Sequence, residues 1–332
     1  VSKSAQKHLI SAISTQFKEK MDDKDKLILF ELLQDCRQPV SKIAKAVKLP
    51  QQTVDKRIKK MEGLKIIKKY ALNVNYPKFG LSRHSIYLDI HGVQASEVDK
   101  YLKEITSIEE VSCCYMLHEV SRWKLYVSVW TKDIERYDNI QTKILIKFKD
   151  KIKNYLSFQS VKSQTYFARR LNPKKKAKVD IKGSPEHIEL KPADLKLLEL
   201  LKENSRQPII ELAKKMNTSA SSAMRRINSL KKREIIERFY PIIDMNKIGY
   251  TEYTYISRVD PSCTKELENF MKLIEKDPRF NIVIRAVGYV NLYYAFLIES
   301  REEFKEINEE IEKTLGKAVL ETHKIEVDEM IS

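Results

Sequence analysis

The stretch CRQPVSKIAKAV at 36–47 returns as SRQPIIELAKKM at 205–216, and this offset of 169 residues constrains the chain more than any other feature. Sliding 25–80 onto 194–249 at that offset needs no gap. Fourteen of the 56 positions are identical, among them Asp25/Asp194, Leu29/Leu198, Ala44/Ala213, Arg57/Arg226 and Gly80/Gly249. The apolar pattern keeps register as far as Val129/Ile298. Solenoids repeat about every 20–50 residues, so a period this long is the duplication of a whole module.

Each module begins with helical periodicity. In the first, Asp25 reads as an N-cap, "KLILFELLQD" is apolar at helical spacing, and Pro39 ends that helix and starts the next. A second helix at about Val40–Val47 turns Ile43, Ala44 and Val47 inward. A third, from about Gln51 to Glu62, carries the stripe Val54, Ile58 and Met61. "LKIIKKYALNV" then reads as a two-stranded wing, which makes the unit a winged helix-turn-helix. Downstream, "HSIYLDIH", "ASEVDKYLKEI", "VSCCYML", "WKLYVSVW", "IERYDNIQTKILIKF" and "SFQSVKSQTYF" follow the order β-α-β-β-α-β of a ferredoxin-like domain. The second half repeats this series.

The expected class is therefore α+β, with two winged helix-turn-helix and two ferredoxin-like βαββαβ domains. The expected boundaries are an N-terminal helical extension at 1–24, winged unit 1 at 25–76 and ferredoxin-like domain 1 at 77–171. A basic linker at 172–190, winged unit 2 at 191–245 and ferredoxin-like domain 2 at 246–332 follow. The extension holds one amphipathic helix at 4–20, with Leu9, Ile13 and Phe17 on one stripe. The linker is lysine-rich (Lys174, Lys175, Lys176, Lys178) and lacks apolar periodicity.

Formal net charge is +16 over 332 residues, a balance that points to an anionic partner. The four cysteines, Cys36, Cys113, Cys114 and Cys263, form no CxxC pair and read as reduced, buried residues of a cytoplasmic, nucleoid-associated protein. The six histidines, His8, His84, His91, His118, His187 and His323, have no metal-ligand spacing. No metal or cofactor is expected. The sequence holds no apolar run of membrane-spanning length, no signal-peptide pattern, no glycine-rich phosphate loop and no nucleophile elbow.

The charge concentrates on the third helix of each module. Residues 48–69 hold eight Lys/Arg against two acids, and 217–238 hold six against two. With Val54, Ile58 and Met61 inward, Gln52, Lys56, Lys59 and Lys60 point outward, Thr53 and Arg57 lie on the flank, and Gln51 opens the helix. In the second copy Ala223, Ile227 and Leu230 point inward. Ser221, Arg225, Asn228 and Ser229 point outward, with Ser222 and Arg226 on the flank. Such a helix fits the major groove of duplex DNA, where basic and amide side chains reach base edges and hydroxyls and flank arginines meet phosphate. Lys68 and Lys69 of the first wing add phosphate contacts. Arg37 and Arg206 bond either helix-end carbonyls or phosphate.

The segments "DKLILFELLQDCRQPVSKIAKAVKLPQQTVDKRIKKMEGLKIIKKY" and "DLKLLELLKENSRQPIIELAKKMNTSASSAMRRINSLKKREIIERF" resemble the DNA-binding domain of the Lrp/AsnC (feast/famine) transcription regulators. The match includes the arginine of that family's "R-[VI]-x-x-[LM]-E" segment, at Arg57 and Arg226. The βαββαβ halves resemble the family's ligand-binding and oligomerisation domain. The resemblance implies double-stranded DNA as partner, an amino-acid-like effector, and pairing through the ferredoxin-like domains, here within one chain. It leaves room for homodimers or higher oligomers. Because the two recognition helices differ, such a chain is expected to read two unlike half-sites. The family's Gly-x-x-Asp turn survives as Gly288-Tyr289-Val290-Asn291 and is replaced by Glu119-Val120-Ser121-Arg122 in the first half. An effector is thus expected to involve Gly288, Tyr289 and Asn291.

Two other readings stand beside this one. An architectural protein would coat DNA with little sequence preference. The architecture also resembles the sirohaem decarboxylases, which are paired Lrp-like subunits; there His84, His91 and His118 would serve a porphyrin. An enzyme has no need of basic recognition helices, so a non-enzymatic regulator is the expectation.

Overall fold

The computed structural model describes residues 21–117, 121–166, 169–175, 179–183 and 185–327. The helix expected at 4–20 lies outside these residues, as do His8, His118, Glu119, Val120, Lys176 and Lys178.

The first module runs α1 (Asp23–Gln34), α2 (Val40–Val47), α3 (Gln51–Gly63) and β1 (Ile67–Val74). Its ferredoxin-like part is β2 (Ser82–Ile90), α4 (Ala95–Thr106), β3 (Val111–Met116), β4 (Leu125–Thr131), α5 (Ile134–Lys147) and β5 (Ile152–Tyr166). A short strand β6 (Val179–Lys182) precedes α6 (Pro192–Glu203), α7 (Ile209–Lys215), α8 (Ala220–Lys232) and β7 (Ile236–Ile243). The chain continues with β8 (Thr251–Val259), α9 (Thr264–Lys276), β9 (Phe280–Gly288), β10 (Leu292–Ile298), α10 (Arg301–Leu315) and β11 (Val319–Val327).

Local chemistry places the helices. Asp22, not Asp25, is the N-cap of α1: its side chain accepts from Asp25 N–H at 2.8 Å, and the Asp25 carboxylate accepts back from Asp22 N–H. Pro39, Pro50 and Pro208 precede α2, α3 and α7, where the missing N–H removes no helical bond. The tight turns repeat as well. Lys48 and Asn217, then Lys65 and Glu234, are equivalent pairs that all adopt positive φ.

The expected two-stranded wings are not there. β1 has its partner in the other module: it pairs antiparallel with β7, from Ile67↔Ile243 through Ala71↔Tyr240 to Val74↔Ile236. Ala71 and Tyr240 are repeat equivalents, so a pseudo-twofold axis passes through the middle of this ribbon. Pairing the two copies buries edges that two separate hairpins would leave open. The heads are also crossed, since α1 packs on β7 and α6 on β1.

The ferredoxin-like strands join one sheet in the order β11-β8-β10-β9-β5-β2-β4-β3, with β6 paired to β5. The modules meet where β5 pairs with β9 (Phe158↔Gly288 to Thr165↔Ile282). Helices cover one face of each half: α4 and α5 over Ile86, Leu88, Val127 and Val129, and α9 and α10 over Val283, Leu292, Tyr294 and Phe296. The opposite faces meet each other, with Tyr87, Leu156 and Phe158 of one half against Ile256, Ala286 and Ile325 of the other.

The region expected to be a linker is built into the structure. β6 sends Asp180, 2% exposed, onto Arg238, fully buried, at 2.9 Å. Arg238 also donates to the Leu33 carbonyl at 2.9 Å, which ties this segment to both heads. Lysine-rich composition concealed it, because a single aspartate that reaches a buried guanidinium leaves no trace in the overall charge of the segment.

Candidate nucleic-acid interface

The faces of α3 and α8 lie where helical spacing puts them. Val54, Ile58 and Met61 are buried on one, and Ala223, Ile227 and Leu230 on the other. Gln51, Gln52, Lys56, Lys59, Lys60 and Lys69 are exposed, as are Ser221, Arg225, Asn228 and Ser229. Thr53, Lys68 and Ser222 are half-buried.

The partners of these side chains divide them. Arg57 Nη1 donates to Asp22 Oδ2 at 2.7 Å and Asp25 Oδ1 at 2.8 Å, and these two carboxylates raise its pKa further. Arg226 Nη1 donates to Asp194 Oδ1 at 2.6 Å, the equivalent contact. Both arginines pin the recognition helix to the first helix of their module, so phosphate would have to compete with carboxylates already in place. Lys59 pairs with Asp55 at 2.8 Å along its own helix, and Lys68 faces Asp244 of the other module at 3.8 Å. In the second head Ser219 caps α8 by accepting from Ser222 N–H, Ser221 bonds Ser219 at 3.0 Å, and Arg225 donates to Ser222 Oγ at 3.2 Å.

Arg37 and Arg206 bond protein groups, and they do so across the pseudo-dyad. Arg37 Nη1 donates to the Ser205 and Gln207 carbonyls at 2.7 and 2.9 Å, and Arg206 Nη1 donates to Tyr70 OH at 2.6 Å.

Some residues escaped the sequence reading. Lys45 and Lys48 line a cleft with Ser41 and Gln51 at the foot of α3. On the second head, Ile210 is 73% exposed and Met224 40% exposed, beside the hydroxyl-rich face. Their repeat equivalents are Ser41 and Asp55, so comparing the copies at offset 169 flags both as an apolar change on a face that meets water.

The three residues expected at an effector site have other work. Asn291 bridges the Val259 backbone, accepting from its N–H and donating to its carbonyl, both at 2.8 Å, so that its amide is held in place by β8. Gly288, at φ +142°, lets β9 approach β5 closely: an added Cβ would stand 3.0 Å from the Ser157 carbonyl. Tyr289 is 53% exposed and donates to Glu321. Of the histidines, His84 is buried and stacked on Tyr137 at 3.9 Å, while His91 is exposed. No group of His, Cys, Asp and Glu among the described residues has the arrangement of a metal site, and none of the described helices is long and apolar enough to cross a membrane.

Comparison with known proteins agrees with this architecture. The AsnC-type helix-turn-helix domain profile matches residues 21–62, and a winged helix-turn-helix DNA-binding profile matches 190–237. An uncharacterised HTH-type transcriptional regulator of Pyrococcus abyssi is 37% identical over 102 residues, 28% of this chain and 68% of that protein. The HTH-type transcriptional regulator LrpA of the same organism is 32% identical over 116 residues, 35% of this chain and 79% of its own length. Among solved structures, the siroheme decarboxylase NirDL superposes with a TM-score of 0.58 at 15% identity, covering 93% of this chain and 91% of that one. At that identity the likeness is one of fold. The chain belongs to the Lrp/AsnC family of helix-turn-helix transcriptional regulators, and carries the family's DNA-binding unit twice.

Proposed function

We propose that this chain is a sequence-specific regulator that grips duplex DNA as a dimer built from one polypeptide and reads two unlike half-sites. One observation carries the reading: a pseudo-twofold axis relates α3 to α8, and the faces it relates differ in chemistry. The first head offers Gln51, Gln52, Lys56 and Lys60. The second offers Ser221, Arg225, Asn228 and Ser229 beside the apolar Met224. Glutamine and asparagine suit adenine, arginine suits guanine, and a methionine edge suits a thymine methyl. Lys69, with Lys45 and Lys48, supplies phosphate contacts; Arg57 and Arg226 support the helices from behind. A small amino-acid-like effector and assembly beyond one chain remain part of the family reading, as does a place in the cytoplasm on the nucleoid.

The enzyme alternative is not favoured. His84, which would serve a porphyrin, is buried against Tyr137. Selection of binding sites from random duplex DNA at physiological salt tests the proposal. An enriched site with two dissimilar halves supports it. A strictly palindromic site removes the unlike-half-site reading, and tight binding at low salt without enrichment favours an architectural role.

A further inference from the structure

The two heads carry unlike charge at equivalent positions. At offset 169, Lys42, Lys48, Lys60 and Lys65 of the first head correspond to Glu211, Asn217, Ser229 and Glu234 of the second, and every one of them is exposed. The backbone is shared: Lys48 and Asn217, like Lys65 and Glu234, adopt nearly the same positive φ. The copies have therefore diverged in side chain and not in local fold.

The cations that the second head does carry are mostly held by its own carboxylates. Lys215 pairs with Glu203 at 3.8 Å, Lys231 with Asp35 at 3.0 Å, and Arg226 and Arg233 with Asp194 at 2.6 and 3.5 Å. Arg238, in the place of Lys69, is buried on Asp180. On α7 and α8, Lys214, Arg225 and Lys232 are exposed and pair with no carboxylate among the described residues. In the first head the same holds of Lys42, Lys45, Lys48, Lys56, Lys65 and Lys69. Where that head has Ser41 and Asp55, the second exposes Ile210 and Met224.

Attraction to duplex DNA of any sequence comes from cations that displace counterions from phosphate, and cations already paired contribute little. An apolar side chain gains nothing against phosphate; it gains when it covers a thymine methyl in the major groove.

We propose that the two heads divide the work of binding. The first head holds the phosphate backbone of any duplex. The second engages only at a half-site that presents thymine methyls to Ile210 and Met224, which are its specificity-determining residues. The chain searches DNA on one head and locks with the other. That these faces meet DNA rests on the reading above; their unequal charge does not.

Anisotropy titration of the full chain with a random-sequence duplex, over a range of salt, measures the backbone contacts alone. Giving the first head the second head's residues (Lys42→Glu, Lys48→Asn, Lys60→Ser) should lower the slope of log K against log salt by about 3 and weaken binding at least tenfold. The reverse exchange (Glu211→Lys, Asn217→Lys, Ser229→Lys) should raise the slope by about 3, because it supplies phosphate contacts the second head lacks. Lys214→Ala with Lys232→Ala should change the slope by less than about 1. Melting curves check that each variant is folded. At a site selected from random DNA, Ile210→Ala with Met224→Ala should cut the preference over random duplex about tenfold or more. If the second-head alanines lower the slope as much as the first-head exchange, or the apolar pair leaves the preference intact, the division between heads is overturned while DNA binding stands. A chain that binds no duplex at low salt overturns the DNA-binding reading and this proposal with it.

Discussion

Cys36 and Ser205 occupy the same position in the two repeats, and their side chains touch: Sγ lies 3.5 Å from Oγ. A residue meets its own equivalent only on a symmetry axis. The surrounding backbone agrees, since Cys36 N–H donates to the Phe239 carbonyl at 2.9 Å and Ser205 N–H to the Tyr70 carbonyl at 3.0 Å. The repeated Arg-Gln-Pro therefore marks the corner where the two DNA-binding heads abut. Burial pushes the Cys36 thiol up to about 11, so it stays protonated and packs as a small apolar group.

That contact permits a crosslink test. Ser205→Cys should form an internal disulfide with Cys36 under mild oxidant, because the two side chains already meet. Intact mass and non-reducing electrophoresis report it. Thiols that stay free after prolonged oxidation would argue against the dyad contact.

The first head should dominate the salt dependence of binding. Lys56→Ala is expected to weaken DNA binding on every sequence and lower the slope of log K against log salt by about 1. Arg57→Ala should instead lower stability by roughly 1 kcal/mol, since its partly exposed ion pairs with Asp22 and Asp25 are screened by solvent. Chemical denaturation beside salt-titrated binding separates the two; a stable Arg57→Ala with a reduced slope would return Arg57 to the DNA surface.

Asp180 is the test of the embedded connector. Asp180→Leu leaves Arg238 buried without its carboxylate and should destabilise the chain by about 3–5 kcal/mol. Adding Arg238→Met should recover much of that loss. A single variant as stable as the parent would mean that the pair is not closed in solution.

Gly288→Ala should be harmful although the residue is exposed. The added Cβ meets the Ser157 carbonyl at 3.0 Å, and φ is +142°. Roughly 1–3 kcal/mol of strain is expected, at the β5–β9 seam. Faster hydrogen exchange in both strands would locate it, and an unchanged exchange pattern would argue that the seam is loose.

Two groups give opposite pH dependences. Burial lowers the His84 pKa to about 4, whereas an unfolded histidine takes its proton near 6.5. Between those values the unfolded state binds more protons, so stability falls as pH drops. Glu252 holds its proton up to about 7 in the folded chain and loses it near 4.5 when unfolded, so its contribution falls as pH rises through that range. His84→Phe should flatten the acid-side loss and Glu252→Gln the other. Denaturation midpoints at pH 4.5, 5.5, 6.5 and 7.5 distinguish them, and slopes the variants leave intact would point to other groups.

The sequence by itself determined the local and the repeated. Val54, Ile58 and Met61 recur at helical spacing, and spacing alone says which face of α3 meets water. The duplication, the helix-turn-helix units and the βαββαβ order were legible for the same reason, because each depends on neighbours a few residues apart. The tertiary structure decided the partners. The apolar residues of β1 mark it as a strand but do not say that the pairing strand lies in the other module. A flank arginine suits phosphate by its angle, and only the folded chain brings Asp22 and Asp25 to Arg57. Asn291 kept the chemistry of an effector turn, yet its amide closes on the Val259 backbone. Periodicity fixes direction within an element; hydrogen bonds and ion pairs between elements depend on which groups the fold brings within about 3 Å, and that distance is set by the packing of the whole chain.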